Sequence, residues 1–155
     1  GYVDKISGVN NKLMQAARKQ HSNGINISDA IITSSFNNNN NEKFKFVIHA
    51  CSPWKEQDDD NVKKLLRTTY KNVFDIAMKT KNIESIAIPA LGCGVNLIDP
   101  TISALEALNA MKDIIENNEN NIDDGRKETF LNVEFWLLDY LAYNQFNEIV
   151  SPNVC

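Results

Sequence analysis

The chain shows two patterns of hydrophobic residues, one typical of helices and one typical of strands. From residue 43 onward these two patterns alternate. Apolar residues recur at three- and four-residue steps, as on an amphipathic helix, over residues 57–81 and 101–116. Short apolar runs typical of buried strands occupy residues 43–50, 83–90 and 132–140. A closing helix is predicted over residues 140–149. This alternation predicts an α/β fold, in which parallel strands are joined by crossover helices that cover both faces of the sheet.

The first third of the chain adds a short helix over residues 8–20 and a β-branched strand over residues 29–35. Two asparagine-rich runs, residues 37–41 and 117–124, lie between apolar segments. These runs offer almost no apolar side chains to a core, so we expect them to be loop insertions, exposed and mobile. Because no internal repeat is present, residues 1–155 are expected to form a single domain.

Acidic residues mark the predicted helix starts. The run at 58–60 places acids where the helix dipole favours them, which is a better supported interpretation than a metal site. Asp99 followed by Pro100 has the residue types of an N-cap and a first helical position, and Asp139 is placed to cap the last helix. The helix over 101–116 is expected to turn six apolar residues inward: Ile102, Leu105, Leu108, Met111, Ile114 and Ile115.

Composition argues against several functional classes. The 155 residues carry a formal net charge of −4, which makes a nucleic-acid partner unlikely on electrostatic grounds. No apolar stretch reaches transmembrane length, so no membrane association is expected. The three cysteines, Cys51, Cys93 and Cys155, match no metal spacing, and we expect neither a metal nor a cofactor. Free thiols indicate a reducing intracellular compartment, cytoplasmic or nuclear.

The stretch IPALGCGVN, residues 88–96, contains the candidate chemistry. It leaves a strand and places Gly92 and Gly94, two of the chain's six glycines, on either side of Cys93. Ligands of open parallel sheets sit beyond the carboxyl ends of the strands, and glycines let backbone N–H groups approach a phosphate. The loop is therefore either a phosphate cradle leading to a helix N-terminus or a tight turn without a ligand. Three known motifs do not fit this loop. A P-loop needs a lysine after the last glycine, a dinucleotide fingerprint needs a third glycine where Leu97 stands, and a nucleophile elbow needs glycines two positions from the nucleophile rather than next to it.

Other reactive or aromatic side chains have structural interpretations. Cys93 has no histidine near it in sequence, so it is interpreted as a small residue that the turn tolerates. His49, on a predicted buried strand, is interpreted as a core residue rather than a catalyst. Trp54 and Trp136 are interpreted as packing residues.

Three stretches resemble the macro domain family, and they occur in the family's order. FKFVIHACSP (44–53) resembles the strand that ends in I-H-x-x-x-P. LLRTTYKNVFDIAMKTKNIESIAIPALGCGV (65–95) resembles a helix with Y-x-N, followed by the strand and loop S-I-A-x-P-A-x-G-x-G-V. FWLLDYLAYNQF (135–146) resembles the family's last strand, aspartate and helix. The resemblance implies a three-layer α/β/α macro-domain-like mixed sheet with helices on both faces, which binds ADP-ribose or a derivative of it.

The resemblance also implies a set of site residues. The loop around the diphosphate and the distal ribose would comprise Ala90, Leu91, Gly92, Cys93, Gly94, Val95 and Asn96, with the N–H groups of residues 92–95 facing the ligand. Leu138 and Asp139 would lie beside the adenine and its ribose. GYVDKI at the start resembles the end of the family's first glycine-rich loop and would place Val3 and Asp4 at the ligand; a register through Gly8 is the alternative. Asp4 is the candidate catalytic residue, as the group that orients or activates a water, or else a helix cap.

The chain departs from the family pattern at its start and in the loop. The family's N-terminal strands and N-A-A-N segment do not precede Tyr2. The domain is therefore expected to be N-terminally truncated, to receive these strands from elsewhere, or to begin differently. Lys5 stands where the family prefers glycine. Asn96 stands where the family usually has an aromatic cover for the ribose, so Asn96→Phe is expected to tighten binding.

Three functions remain open at this point. The first is a binding module for free ADP-ribose or for an ADP-ribosylated protein. The second is a hydrolase that removes ADP-ribose from proteins or phosphate from ADP-ribose 1″-phosphate. The third is a degenerate macro scaffold without a ligand. The asparagine that the family uses for hydrolysis has no counterpart here, and Asn96 replaces the aromatic residue. Both departures favour a binding module, or a degenerate module with neither function.

Overall fold

The computed structural model describes residues 15–19, 21–35, 44–55, 58–119 and 131–153. The strands are β1 (Ala30–Ser34), β2 (Phe46–Ala50), β3 (Ser85–Ile88) and β4 (Asn132–Phe135). The helices are α1 (Asp59–Lys79), α2 (Pro100–Glu119) and α3 (Tyr140–Ile149), followed by a 3₁₀ turn over Ser151–Asn153. Residues 15–19 are also helical. The helices and strands predicted within these ranges are present in the predicted order.

The strands form one antiparallel and one parallel pair. β1 runs antiparallel to β2, with Ile32 opposite Ile48. β3 runs parallel to β4, with Ile88 opposite Phe135, and the N–H of Trp136 extends this ladder by donating to the carbonyl of Ile88 (2.9 Å). The predicted parallel arrangement is thus present for β3 and β4. β2 pairs with its sequence neighbour β1 instead, and within the described residues no backbone ladder joins the two pairs.

The core lies between the helices and one face of the strands. α2 packs against both α1 and α3. The sequence predicts eight residues for the apolar stripe of α1, and six of them are buried: Val62, Leu66, Tyr70, Val73, Phe74 and Ala77. The other two, Leu65 and Met78, are half-buried. All of the six buried side chains except Ala77 belong to one hydrophobic cluster with Ile88 at the end of β3 and Ile98 in the loop that follows. The glycine-containing loop therefore rests directly on the core, whose burial supplies most of the driving force for folding.

The inward face of α2 differs from the prediction. Leu105 and Ile115, expected inside, are 43% and 57% exposed. The most deeply buried positions are small ones, namely Ser103, Ala104, Ala107 and Ala110. The physical reason is that α2 contacts a helix on either side, and small side chains let helix axes approach closely. Periodicity of large apolar residues alone does not report this kind of packing.

The predicted helix starts are confirmed. The N-cap of α1 is Asp58, whose carboxylate accepts the N–H of Asn61, and the N-cap of α3 is Asp139, whose carboxylate accepts the N–H of Ala142. α2 begins at Pro100 and extends to Glu119, so residues 117–119 of the second asparagine-rich run are helical. Residues 37–41 and 120–124 lie outside the described residues. None of the helices in the described ranges has the length and apolar character needed to span a membrane.

Candidate ligand-binding site

Two consecutive turns form the loop after β3. In the first turn, the N–H of Cys93 donates to the carbonyl of Ala90 (3.4 Å), and Gly92 has a φ of +79°. In the second, the N–H of Leu97 donates to the carbonyl of Gly94 (3.1 Å). A third bond, from the N–H of Ile98 to the carbonyl of Gly92 (3.0 Å), closes the loop on itself. The result is a compact double turn at the carboxyl end of the parallel strands.

The two glycines of the loop are required for different reasons. Gly92 has left-handed backbone, and a Cβ there would lie 2.6 Å from the Cδ1 of the buried Ile98. Only glycine fits that position without a shift of the core. A Cβ on Gly94 would meet no atom within 4 Å, and its φ lies outside the left-handed region. The fold therefore does not require a glycine at 94, where the backbone faces open space.

Several peptide N–H groups of the loop are free to bind a ligand. Within the part of the chain that the structure describes, the N–H groups of Gly92, Gly94, Val95 and Asn96 have no hydrogen-bond acceptor. The N–H of Cys93, also expected to face the ligand, is engaged in the first turn. Backbone N–H groups clustered in a turn form a concave site for anions, since each contributes a partial positive charge.

Asn96 anchors the loop to the segment after β2. Its side-chain amide donates to the carbonyls of Ser52 and Pro53, both at 2.9 Å, and its own carbonyl accepts the N–H of Lys55 (2.9 Å). Asn96 is therefore more than a position at which the family's aromatic cover for the ribose is absent. The residue has a structural function that the sequence did not reveal, because its partners lie more than forty positions away.

Two residues that the sequence analysis did not assign to the site lie beneath the loop. The hydroxyl of Tyr70 accepts the N–H of Leu91 (2.9 Å), and the hydroxyl of Ser103 donates to the carbonyl of the same residue (2.8 Å). In the sequence, Tyr70 is a member of the apolar stripe of α1, and the stripe gives no sign of this contact. The available signal was a polar residue, Ser103, at a position of α2 that faces inward.

The thiol of Cys93 is not an activated nucleophile. Burial raises the pKa of this thiol, and the nearby carboxylates of Asp139 and Asp99 raise it further, against an opposing effect of the Ser103 hydroxyl. The thiol is therefore protonated at neutral pH, and only the thiolate is an effective nucleophile. This agrees with the interpretation of Cys93 as a residue that the turn tolerates.

The N-terminus of α2 is occupied by the chain's own carboxylate. Asp99 accepts the N–H of Thr101 (2.8 Å). The pKa of Asp99 is lowered, first by hydrogen bonding to Thr101, with a smaller contribution from the charge of Lys55. The expectation that this helix end would face an anion needs correction, because Asp99 already satisfies it. What remains for an anion is the set of loop N–H groups.

The second predicted part of the site follows β4. Leu138 is 81% exposed, and Asp139 is exposed next to it while it caps α3. Because β3 and β4 are parallel, residues 138–139 and the loop after β3 both follow the carboxyl ends of strands at the same edge. Val3 and Asp4, the remaining predicted site residues, lie outside the described residues.

The two tryptophans are not buried packing residues. Trp54 is 54% exposed and lies next to Lys55 on the border of the loop, whereas Trp136 is 45% exposed and contacts Phe44 edge to face. Both follow a strand closely, so they lie where the backbone leaves the sheet rather than inside it.

His49 is half-buried and bonded to Thr33 across the β1–β2 pair (3.0 Å). No group of three or more potential metal ligands occurs among the described residues.

The fold and the loop define an α/β module with a glycine-containing double turn at the carboxyl ends of its parallel strands. The sequence matches the Macro domain family over residues 5–107, and the chain belongs to that family. The resemblance found in the motifs is thus confirmed, together with the predicted α/β class with a mixed sheet. No match was found among curated proteins.

Solved macrodomain structures have the same fold. The Oceanobacillus iheyensis macrodomain with ADP gives a TM-score of 0.70 at 23% identity, covering 91% of this chain and 67% of that one. The Trypanosoma brucei macrodomain in complex with ADP-ribose gives 0.70 at 18% identity, covering 97% and 55%. The macro domain of ganglioside induced differentiation associated protein 2 gives 0.66 at 20% identity, covering 88% and 63%. This chain therefore spans only about half to two thirds of these structures.

Proposed function

We propose that this chain binds ADP-ribose, with the diphosphate against the backbone N–H groups of the loop. The observation that carries the proposal is Gly94. Neither its φ nor the packing around it requires a glycine, and it lies among N–H groups that lack an acceptor in the described residues. An absent side chain at this point keeps the backbone accessible to a bulky anion. The Oceanobacillus macrodomain with ADP and the Trypanosoma macrodomain in complex with ADP-ribose support this ligand class.

The chemistry suits an acidic chain. Hydrogen bonds from N–H groups to a charged group contribute about 1.5–3 kcal/mol each, so a few of them suffice to hold a diphosphate. Lys55, whose N–H is bonded to Asn96, adds a positive charge at the border of the loop and offsets the carboxylate of Asp99. A cluster of basic side chains is therefore unnecessary.

The remaining predicted residues complete the proposed site. Leu138 offers an exposed apolar surface for the adenine, and the carboxylate of Asp139 is an acceptor for a ribose hydroxyl. Val3 and Asp4 would contact the ligand from the first loop, as the family resemblance implies. ADP-ribose attached to a protein would use the same groups. The raised pKa of the Cys93 thiol gives no support to a covalent intermediate at this residue.

Calorimetric titration with ADP-ribose tests the proposal. Gly94→Glu places a side chain and a negative charge in the loop, and we expect the affinity to fall at least thirtyfold, or about 2 kcal/mol. Ser85→Glu is the matched control, since it adds the same charge at the exposed opposite end of β3 and should leave the affinity unchanged. A parent chain that gives no heat of binding at millimolar ADP-ribose would refute the function. Equal affinities of Gly94→Glu and the parent would refute the loop as the site.

A further inference from the structure

A closed ring of hydrogen bonds lies directly under the proposed site. It joins Tyr70 of α1, Ser103 of α2 and the peptide groups of Leu91, and both side chains are fully buried. The hydroxyls of Tyr70 and Ser103 are 2.7 Å apart. The Leu91 N–H lies 2.9 Å from the Tyr70 oxygen, and the Leu91 carbonyl lies 2.8 Å from the Ser103 oxygen.

The donors and acceptors fix the direction of every bond in this ring. A hydroxyl has one proton to donate, and the proton of Ser103 goes to the carbonyl of Leu91, which can only accept. The proton between the two hydroxyls must therefore come from Tyr70. The Tyr70 oxygen in turn accepts the N–H of Leu91. The ring runs in one direction, from the Leu91 N–H through Tyr70 and Ser103 to the Leu91 carbonyl, and such chains strengthen their members cooperatively.

The ring holds Leu91, the second residue of the first turn. Leu91 is the residue before Gly92 in the turn closed by Ala90 and Cys93. With both its N–H and its carbonyl held, the peptide planes on either side of Leu91 have little freedom to rotate. The direction of the following N–H groups depends on these planes, because the backbone is continuous. Two helices of the core thus set the geometry of the loop from below.

We propose that Tyr70 and Ser103 are positioning residues of the ligand site, which act through Leu91 without touching the ligand. This inference rests on the proposed function and extends it to residues in the core. It assigns the buried tyrosine of the Y-x-N motif to the alignment of the loop N–H groups, and not only to core packing.

A purely structural role would have a different signature, and the chain offers a matched control. Thr69 precedes Tyr70 in α1, is also fully buried, and donates its hydroxyl to the carbonyl of Leu65 in its own helix (2.9 Å). Thr69→Val removes a buried hydroxyl from the same helix without affecting the loop. Tyr70→Phe removes the phenolic hydroxyl but keeps the stacking of the aromatic side chain on Phe74. Ser103→Ala removes the other hydroxyl.

The experiment measures two quantities on the full chain, at a temperature where all variants are folded. The first is amide hydrogen exchange at Leu91 together with the amide resonances of residues 92–96. The second is the calorimetric affinity for ADP-ribose. We expect Tyr70→Phe and Ser103→Ala to accelerate Leu91 exchange and to weaken the affinity about tenfold, and Thr69→Val to change the affinity less than about twofold. The loss of ADP-ribose binding free energy in the double variant should be smaller than the sum of the two single losses, since both substitutions break the same hydrogen-bond ring.

Two results overturn the inference: unchanged exchange at Leu91 in Tyr70→Phe, or an affinity loss no greater than that of Thr69→Val. These outcomes are distinguishable from a failure of the proposed function. A parent chain without any ADP-ribose binding rejects the function, whereas the exchange and resonance data, which need no ligand, still show whether the ring holds the loop.

Discussion

Replacing each glycine of the loop by alanine separates the two reasons for a glycine in this turn. Gly92→Ala puts a Cβ on a residue with a φ of +79° and within 2.6 Å of the Ile98 Cδ1. Gly94→Ala puts the Cβ into space with no neighbour within 4 Å. We therefore expect the first substitution to destabilise the fold and the second to leave it intact.

The magnitudes follow from the geometry. Left-handed backbone costs a residue with a Cβ about 1–2 kcal/mol. Ile98 is buried in the core, so relieving its contact adds an overpacking cost of about 1–3 kcal/mol. Gly92→Ala should thus lower the free energy of unfolding by about 2–5 kcal/mol, a large part of the stability of a typical domain. Gly94→Ala, at an exposed position free of neighbours, should change it by less than about 0.5 kcal/mol.

Urea denaturation followed by circular dichroism measures both values, with the slope of the transition as a check that the unfolded states are comparable. A midpoint for Gly92→Ala equal to that of the parent would refute the reasoning, because it would mean that the turn accepts a side chain without moving Ile98. A large loss of unfolding free energy in Gly94→Ala would also refute the reasoning. It would mean that the fold itself requires a glycine at 94, so that no ligand would be needed to explain this residue.

Two further predictions concern the surroundings of the loop and the surface of the helices. The family pattern predicted tighter binding for Asn96→Phe, but we now expect weaker ADP-ribose binding by calorimetry and a stability loss of about 1–2 kcal/mol, because the bonds to Ser52 and Pro53 are lost. Tighter binding would contradict this. The pKa of Asp113 is lowered, chiefly by the hydrogen bond from Arg67, so its carboxylate stabilises the fold at neutral pH and stops doing so as the pH falls below the ordinary carboxyl value of about 3.9. Asp113→Asn should therefore make the free energy of unfolding, measured by urea denaturation, depend less on pH in the acid range. At neutral pH the substitution should cost no more than about 1 kcal/mol, because the groups are partly exposed. An unchanged pH dependence in the acid range would contradict the assignment.

The sequence predicts the order of the helices and strands and the helix starts well, because both depend on local signals. The stripe of α1 repeats at helical spacing from Val62 to Ala77. The carboxylates of Asp58 and Asp139 bond to N–H groups only three positions further along the chain. The inward face of α2 depends instead on its neighbours. A helix that packs on two sides buries its alanines, and nothing local identifies them as core residues.

The site was predictable only in part, for the same reason. Gly92, Gly94 and the end of β3 are contiguous, so a loop could be located by inspection. The residues that hold this loop come from distant positions: Asn96 bonds to a segment 43 and 44 residues earlier, and Tyr70 reaches Leu91 across 21. Bonds of this kind have no sequence periodicity, and a tyrosine on an apolar stripe looks the same whether or not its hydroxyl has a function.

The way in which the loop is held bears on how an acidic chain can bind an anion. The loop is fixed on three sides: by the closing bond between Gly92 and Ile98, by Tyr70 and Ser103 beneath Leu91, and by Asn96 against the segment after β2. N–H groups held in this way need no reorganisation when an anion arrives, so little of the binding energy is lost to ordering the site. A flexible loop with the same glycines would lose that advantage and would need charged side chains in compensation. The rigidity of the turn, more than the glycines themselves, is therefore the property that makes a backbone site plausible in a chain with a net charge of −4.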